Sequence, residues 1–415
     1  MAGGVPQGWE IVELGELIGK ITAGTSVNCD DRRRRGDERG MLKLGAVTSG
    51  VFKPEVHKVA LTGEAHRLTT PVRAGTILFN RKNTPDLVGQ VAKVDREADG
   101  LFLPDLIWEL VPSAAVDADW LLQWLRSERF RAQMFVAATG SSQSMVNVSQ
   151  DALRQTTVLR PPLPEQRRIA AVLDAWDRAI AAAERAAGLA RRRADGLRAN
   201  LLGRRQQARA GDNHWAAHEF GAITREEARR NNGALGTDRV MGVLKSEGLV
   251  PMRAHVMAAD LGRYKRVPPA AFAYNPMRLN IGSLAMSAYR EDVLVSPDYV
   301  VFSVDDAAAD PRLIRHLTHT RAWSDHLART GSGSVRTRIY YDDLAEMAVF
   351  LPSRAEQARI ADILDDADRA TEGLAGKATL LRTQKRALMQ RLLTGAQRLG
   401  PEFDAVAAAP AADAA

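Results

Sequence analysis

Four short segments carry side chains suited to an anionic polymer with hydrogen-bonding edges. They are Asn80-Arg81-Lys82-Asn83-Thr84, Gly140-Ser141-Ser142-Gln143-Ser144, Tyr274-Asn275-Pro276-Met277-Arg278 and the stretch from Gly331 to Arg338. Arg, Lys, Asn, Gln and Ser offer the donors and acceptors that pair with base edges and phosphate oxygens. Gly-Ser loops also let backbone N–H groups approach a phosphate. The candidate nucleic-acid contacts are therefore Asn80, Arg81, Lys82, Asn83, Ser141, Ser142, Gln143, Ser144, Tyr274, Asn275, Arg278, Ser332, Ser334, Arg336 and Arg338. Taken singly, each of them fits a surface turn equally well. Tyr264-Lys265-Arg266 and the run Arg32–Arg35 are weaker candidates, the latter expected in a mobile loop.

No segment carries the residues of a catalytic or cofactor site. There is no phosphate-binding G-x-x-x-x-G-K-[ST] loop and no strand–GxGxxG–helix unit. The 8 histidines are scattered without metal-ligand spacing, and the single cysteine, Cys29, excludes an internal disulfide or a cysteine-based metal cluster. Asn275-Pro276-Met277-Arg278 resembles the N-P-P-Y/F loop of adenine methyltransferases only in its first two residues, and lacks the aromatic that would stack on a flipped base. The chain is expected to be no enzyme and to need neither cofactor nor metal. Its net charge of +7 suits a phosphate backbone. No apolar run reaches the roughly 18–20 residues that span a bilayer, and the N-terminus lacks a signal-peptide pattern, so a cytoplasmic location without a membrane partner is expected.

The elements that must position these segments come in duplicate. Glu165-Gln166 recur as Glu356-Gln357, 191 positions later, and the same offset pairs Ile169 with Ile360, Leu173 with Leu364, Asp174 with Asp365 and Asp177 with Asp368. Upstream, Gly140-Ser141 match Gly331-Ser332 and Pro161 matches Pro352; with small gaps, Trp9 matches Trp215 and Pro104-Asp105 match Pro297-Asp298. Each copy is a globular part followed by a helix.

In the first helical stretch the apolar positions include Ile169, Leu173, Trp176, Ile180, Leu197 and Leu201, with alanines between; in the second they include Ile360, Leu364, Leu374, Leu381, Leu388 and Leu392, with Lys385 as one charged break. The steps alternate four and three, which is a heptad seam. About 40 residues at 1.5 Å each give rods of roughly 60 Å. One such rod cannot bury its stripe alone, and the other is its natural partner. An antiparallel pairing is favoured, since each globular part then lies at an opposite end. The outer faces of the first helix are rich in arginine, from Arg167 and Arg168 to Arg204 and Arg205, a solvated face or a contact with phosphates or acidic partners.

The globular parts mix short apolar runs read as strands, at 75–79, 88–94 and 299–304, with helices read at Trp120–Phe135 and Pro311–Arg329. The expected fold is α+β: two globular α/β domains separated by two long α-helices that pair as an antiparallel coiled coil, with an internal pseudo-two-fold repeat. The expected boundaries are a first domain at 1–160, a first spacer helix at 161–210, a second domain at 211–350, a second spacer helix at 351–397 and a disordered Ala/Pro-rich tail at 398–415.

This layout resembles the specificity subunits of Type I restriction–modification enzymes. The resemblance rests on Pro162-Leu163-Pro164-Glu165-Gln166-Arg167-Arg168-Ile169-Ala170 with Leu173 and Asp177, and on Glu356-Gln357, Ile360-Ala361, Leu364 and Asp368. Phe272-Ala273-Tyr274-Asn275-Pro276, Asn280-Ile281-Gly282-Ser283 and Gly75–Asn80 are similar as well; the second copy departs from P-L-P-E-Q, reading Pro352-Ser353-Arg354-Ala355-Glu356-Gln357. The resemblance implies that each globular part is a target-recognition domain reading one half of a split site in double-stranded DNA. It implies that the helices set the spacing of the halves and dock two modification subunits, which perform adenine N6 methylation, and that motor-nuclease restriction subunits complete the complex. Two other readings fit the same layout: recognition within a related phage-defence or fused methylation–cleavage system, and a coiled-coil scaffold that reads no bases.

Overall fold

A computed structural model describes residues 4–142, 145–203, 215–245, 247–253, 257, 260–330 and 338–408, with the backbone alone at 139–142. The chain forms two compact units that do not follow the expected boundaries: Met1–Ala182 with Lys377–Ala415, and Ala183–Gly376. The division cuts both long helices, Leu163–Arg198 and Arg354–Leu393, so each unit holds a piece of each. The reason is burial: each helical stripe packs into the globular core beside it as well as onto the other helix.

The first unit is built on a four-stranded antiparallel sheet in the order Ile18–Ala23, Ile107–Pro112, Ile77–Asn80, Val91–Lys93. The second unit repeats that order with Thr224–Glu226, Val300–Val304, Phe272–Tyr274 and Leu284–Met286. A two-stranded pair recurs too, Glu10–Glu13 with Thr157–Arg160 and Ala216–Glu219 with Ala348–Leu351. The sequence repeat is thus a repeat of topology. The copies differ in their second lobe. In the first it is a sheet of Cys29–Asp30, His57–Ala60, Gly40–Leu42 and Leu101–Phe102; in the second it is the hairpin Met241–Leu244/Gly248–Pro251 and the pair Lys265–Val267/Val293–Val295.

Each of the two globular helices read in the sequence is a pair of helices: Ala118–Leu125 and Glu128–Ala137 in the first unit, Pro311–Leu317 and Arg321–Thr330 in the second. The breaks have one cause. The Ser127 hydroxyl accepts from the Phe130 N–H, and the Thr320 hydroxyl accepts from the Trp323 N–H at 3.4 Å, so each restarts a helix as its cap. The second helix of each pair drives Phe130 or Trp323 into the core, where Phe79 and Phe130, or Phe220 and Trp323, meet edge to face.

The start of the stretch expected to be a disordered tail is anchored instead. Leu399 is buried, the Arg398 guanidinium lies over the Trp9 ring and donates twice to Glu165 at 2.7 Å, and Asp404–Ala408 is a short helix. An Ala/Pro-rich composition hid these two anchoring side chains. The arginine run is also held: Arg32 pairs with Glu38, and the Arg34 guanidinium donates to the carbonyls of Gly36, Glu38 and Asp99. Cys29 lies in a two-residue strand, and burial pushes its thiol pKa up, away from nucleophilic reactivity. Among the described residues no helix is long and apolar enough to cross a membrane, and no cluster of His, Cys, Asp and Glu could hold a metal ion.

Candidate nucleic-acid interface

The two polar segments of the first copy meet in one small sheet. Thr139–Ser142 pairs with Met145–Asn147, which pairs with Lys82–Asn83; Asn147 lies opposite Lys82 and Val146 opposite Asn83. The Val148 N–H donates to the Arg81 carbonyl at 2.8 Å, completing the junction. At the corresponding place in the second copy the Ile339 N–H donates to the Pro276 carbonyl at 3.2 Å, which ties the residue just after Arg338 to the Tyr274–Arg278 segment.

Not every candidate side chain faces outward. Asn80 and Tyr274 are fully buried and Asn83 nearly so. The Asn80 amide donates to the Leu44 carbonyl at 3.3 Å, and burial pushes the Tyr274 hydroxyl pKa up. The sequence reading is corrected for these three: Asn80 and Tyr274 end strands that are buried on both faces, and Asn83 is the inward residue of the two-residue strand Lys82–Asn83. Arg81 is half-buried. Its Nε donates to the Asp105 carbonyl at 2.7 Å, its Nη1 donates to Asn147 Oδ1 at 3.1 Å, and its guanidinium lies over the Trp108 ring. It clamps the small sheet to the strand beneath.

Lys82 is partly exposed, and Arg278 and Arg338 are exposed. Asn275 Oδ1 accepts from the Met277 N–H at 3.0 Å, an Asx turn that swings Met277 and Arg278 outward. The side chains of Ser141 and Ser142, and all of Gln143, Ser144, Ser332, Ser334 and Arg336, lie outside the described residues.

The helical motif has a structural meaning that periodicity alone did not reveal. Gln166 Oε1 accepts from the Asp117 N–H at 2.8 Å, and its Nε2 donates to the Pro161 carbonyl at 2.8 Å. Gln357 does the same with the Asp310 N–H at 2.8 Å and the Pro352 carbonyl at 2.9 Å. Asp117 and Asp310 are the caps of the Ala118–Leu125 and Pro311–Leu317 helices. One glutamine per copy therefore ties a long helix to the first helix of its globular part. Glu165, next to Gln166, accepts from Trp9 Nε1 at 3.0 Å and from Arg398. Burial would raise its pKa, but these hydrogen bonds more than reverse that and hold it below the usual carboxylate value.

Within the first unit the long helices run antiparallel, since Glu165 meets Arg398 and Asp177 meets Lys385. Within the second, Arg198 meets Asp368 at 2.8 Å while Leu202 shares a cluster with Ile360 and Leu364. Of the seam residues, Ile169, Leu173, Ile180, Ile360, Leu364 and Leu392 are buried, and Trp176, Leu197, Leu201, Leu374, Leu381 and Leu388 are partly buried. The charged break, Lys385, is 8% exposed, and its ammonium donates to Asp177 Oδ1 at 2.7 Å and Gln123 Oε1 at 3.0 Å. Burial lowers its pKa, against the pull of Asp177. Beside it the first unit carries a cavity of about 700 Å³, floored by Trp124, Ile180, Met389 and Leu393 and walled by arginines that include Arg126, Arg382 and Arg386.

No protein-family profile matches the chain. It is 25% identical over 173 residues to the Type I restriction enzyme EcoEI specificity subunit of Escherichia coli, a match covering 41% of this chain and 29% of that protein. The match thus spans less than a third of that relative's length. Among solved structures, the S subunit of a Type I restriction–modification system from M. genitalium superposes with a TM-score of 0.55 at 12% identity, over 93% of this chain and 96% of that one. A chain from a structure on complex assembly and conformational transition of the type I R-M system superposes with a TM-score of 0.54 at 17% identity, over 95% and 100%. The chain has the fold of these subunits, and the resemblance read in its sequence is borne out.

Proposed function

We propose that the chain is the target-recognition subunit of a Type I restriction–modification enzyme, reading a two-part site in double-stranded DNA and leaving the chemistry to partner chains. The observation that carries this reading is the doubled sheet. Two copies of one topology each anchor Val148 or Ile339 to the loop that follows the third strand of the sheet, and the described surface residues there differ in type between the copies. A pair of unlike surfaces on like scaffolds is what reading two different half-sites requires. Lys82 on one surface and Arg278 and Arg338 on the other supply cations for phosphates.

The shared helices serve two roles in this proposal. Their length sets the spacing of the two half-sites, and their outer faces dock two modification subunits that methylate adenine N6. The cationic, apolar-floored cavity beside Lys385 supports such docking, since an acidic amphipathic segment complements it in both charge and polarity. Motor-nuclease subunits then complete a restricting complex, and the assembly works in the cytoplasm.

The test is to exchange residues 211–350 for the same region of another such subunit, co-express the chimera with the partner methyltransferase, and sequence the methylated adenines. One half-site should change and the other persist. A change in both halves, or methylation without sequence preference, would refute the proposal.

A further inference from the structure

Large apolar side chains stand exposed on both candidate interfaces, among the cations. In the first unit Phe135 is 61% exposed, Val136 84% and Leu87 36%; in the second Met277 is 49% exposed, Ile281 58% and Tyr340 50%. Isolated exposed apolar residues are ordinary. These are grouped, and at the corresponding place in both copies. Phe135 and Val136 close the Glu128–Ala137 helix just before the strand Thr139–Ser142. That helix is tied to the loop holding Leu87 by Arg131, whose Nη2 donates to the Asp86 carbonyl at 2.7 Å. In the second unit the Arg321–Thr330 helix packs on the turn Leu279–Ile281. Tyr340 stands beside Arg338, whose Nη1 donates to its hydroxyl at 3.4 Å.

The inner faces of the two helices agree. Phe130 and Met134 are buried in one, Trp323 and Leu327 in the other. The outward residues do not agree: Phe135-Val136 correspond to Ala328-Arg329, and in the second copy Met277 and Ile281 supply the apolar surface instead. Packing holds the inner face constant while the outer face varies, as a surface selected for different contacts would.

We propose that Phe135 and Val136 in the first unit, and Met277 and Ile281 in the second, are specificity-determining residues that meet apolar parts of the DNA bases. This rests on the reading of both surfaces as DNA-facing. A phosphate carries no sequence information, so Lys82, Arg278 and Arg338 hold the duplex without choosing a site. The thymine methyl is the apolar group that the major groove displays, and an exposed aliphatic or aromatic side chain is what recognises it. In the second unit Arg278 adjoins Met277 and Arg338 bonds Tyr340, and cations beside apolar side chains match a duplex, whose charged backbone flanks the base edges.

The test uses the full chain and a randomised duplex pool. Wild-type protein enriches its preferred duplexes, and affinity is then measured for enriched and unselected DNA across a salt series. Phe135→Ser with Val136→Ser should weaken binding to enriched duplexes about tenfold, within the range for one lost base contact. Binding to unselected DNA and the salt slope should not move. Lys82→Ala should weaken both and lower the slope by about one. Ile281→Ser should relax the enriched bases in the other half only. A second arm leaves the protein intact: uracil replaces thymine in the enriched duplex, and the loss it causes should be absent in the Phe135 Val136 double variant. Equal weakening on both DNAs, or no effect of either serine or uracil while binding stays steeply salt-dependent, overturns this inference and leaves the proposed function standing. Absence of salt-dependent binding by the wild type overturns both.

Discussion

The buried cluster of Lys385, Asp177 and Gln123 allows its energetics to be worked through. Lys385 has a side chain 10% exposed and Asp177 one 35% exposed, so the ion pair is largely out of water on one side and partly wetted on the other. Burial lowers the Lys385 pKa despite Asp177, which means the carboxylate does not fully offset the cost of desolvating the ammonium. Replacing Lys385 by Met leaves Asp177 with Gln123 Nε2 at 2.9 Å and Arg126 at 3.5 Å, so the cost should be modest, about 1–2 kcal/mol. Replacing Asp177 by Leu strands the ammonium against one amide oxygen and should cost more, about 3 kcal/mol. The double variant removes both charges and should lie within about 1 kcal/mol of wild type, or above it. At about 2–4 °C per kcal/mol for a unit of this size, Asp177→Leu should lower the melting temperature by roughly 6–12 °C. Thermal unfolding of the full chain followed by tryptophan fluorescence suits the purpose, because 5 of the 7 tryptophans (Trp9, Trp108, Trp120, Trp124 and Trp176) lie in the first unit. If the two single losses simply add in the double variant, the cluster is not an interdependent buried pair and the reasoning fails.

Three further outcomes follow from the same geometry. His316 is fully buried, with Nε2 2.8 Å from Asp365, and burial lowers its pKa from 6.5 to about 4. The unfolded chain then binds the extra proton first, so the second unit should be fully stable above pH 6.5 and weaken as pH falls towards about 4. His316→Gln should flatten that slope in a pH series of urea unfolding. Glu109 is buried in a central strand opposite Leu78, burial raises its pKa, and the second copy has buried Val301 at the corresponding position. Glu109→Val should stabilise the first unit by about 1–2 kcal/mol at pH 7. The gain should shrink as the pH falls through and below the ordinary carboxylate range, where the wild-type carboxyl takes up its proton; equal melting temperatures at pH 7 would count against it. Inserting one heptad into each long helix, after Ala182 and after Gly376, adds about 10 Å of helix, or roughly three base pairs. Methylation mapping should find a longer spacer between unchanged half-sites, and altered half-site bases with the old spacer would refute the ruler role.

How much was legible in the sequence depended on how far each pattern extended. The seam from Ile169 to Leu201 repeats over many turns, and chance does not sustain such a period, so the long helices could be read directly. The breaks at Ser127 and Thr320 could not, because a serine or threonine inside an apolar period is also compatible with a continuous helix. Only the fold shows that their hydroxyls cap the next helix. The polar segments were legible as segments, and in the first copy the structure joins them in one small sheet. Which of their side chains face out was not legible, since the segments at Asn80 and Tyr274 each begin at the buried end of a core strand and run into an exposed turn. Tyr274 is buried three residues before the half-exposed Met277. Arg398 was missed for another reason: its partners Trp9 and Glu165 are far away in sequence, and local composition says nothing about them.

The division between what the two copies share and what they vary argues for how such a chain works. Shared are Gln166 and Gln357, which each fasten a long helix to a capping aspartate, and Asp177 and Asp368, which each accept a cation from the facing helix. The cations themselves are not equivalent. Lys385 stands where the first copy has Ala194, and Arg198 where the second has Met389, one helical turn away. Each aspartate is therefore satisfied by a different reach, long for arginine and short for lysine. A partly buried carboxylate demands a partner but not a particular one, so drift in the cation is tolerated as long as the junction stays paired. The surface segments carry no such demand: no core depends on whether Phe135 or Ala328 points outward. Constraint concentrates where the helices are fastened, and freedom concentrates on the faces assigned to DNA. Under the proposed function, that distribution would let the recognised bases change without disturbing the parts that hold the chain together.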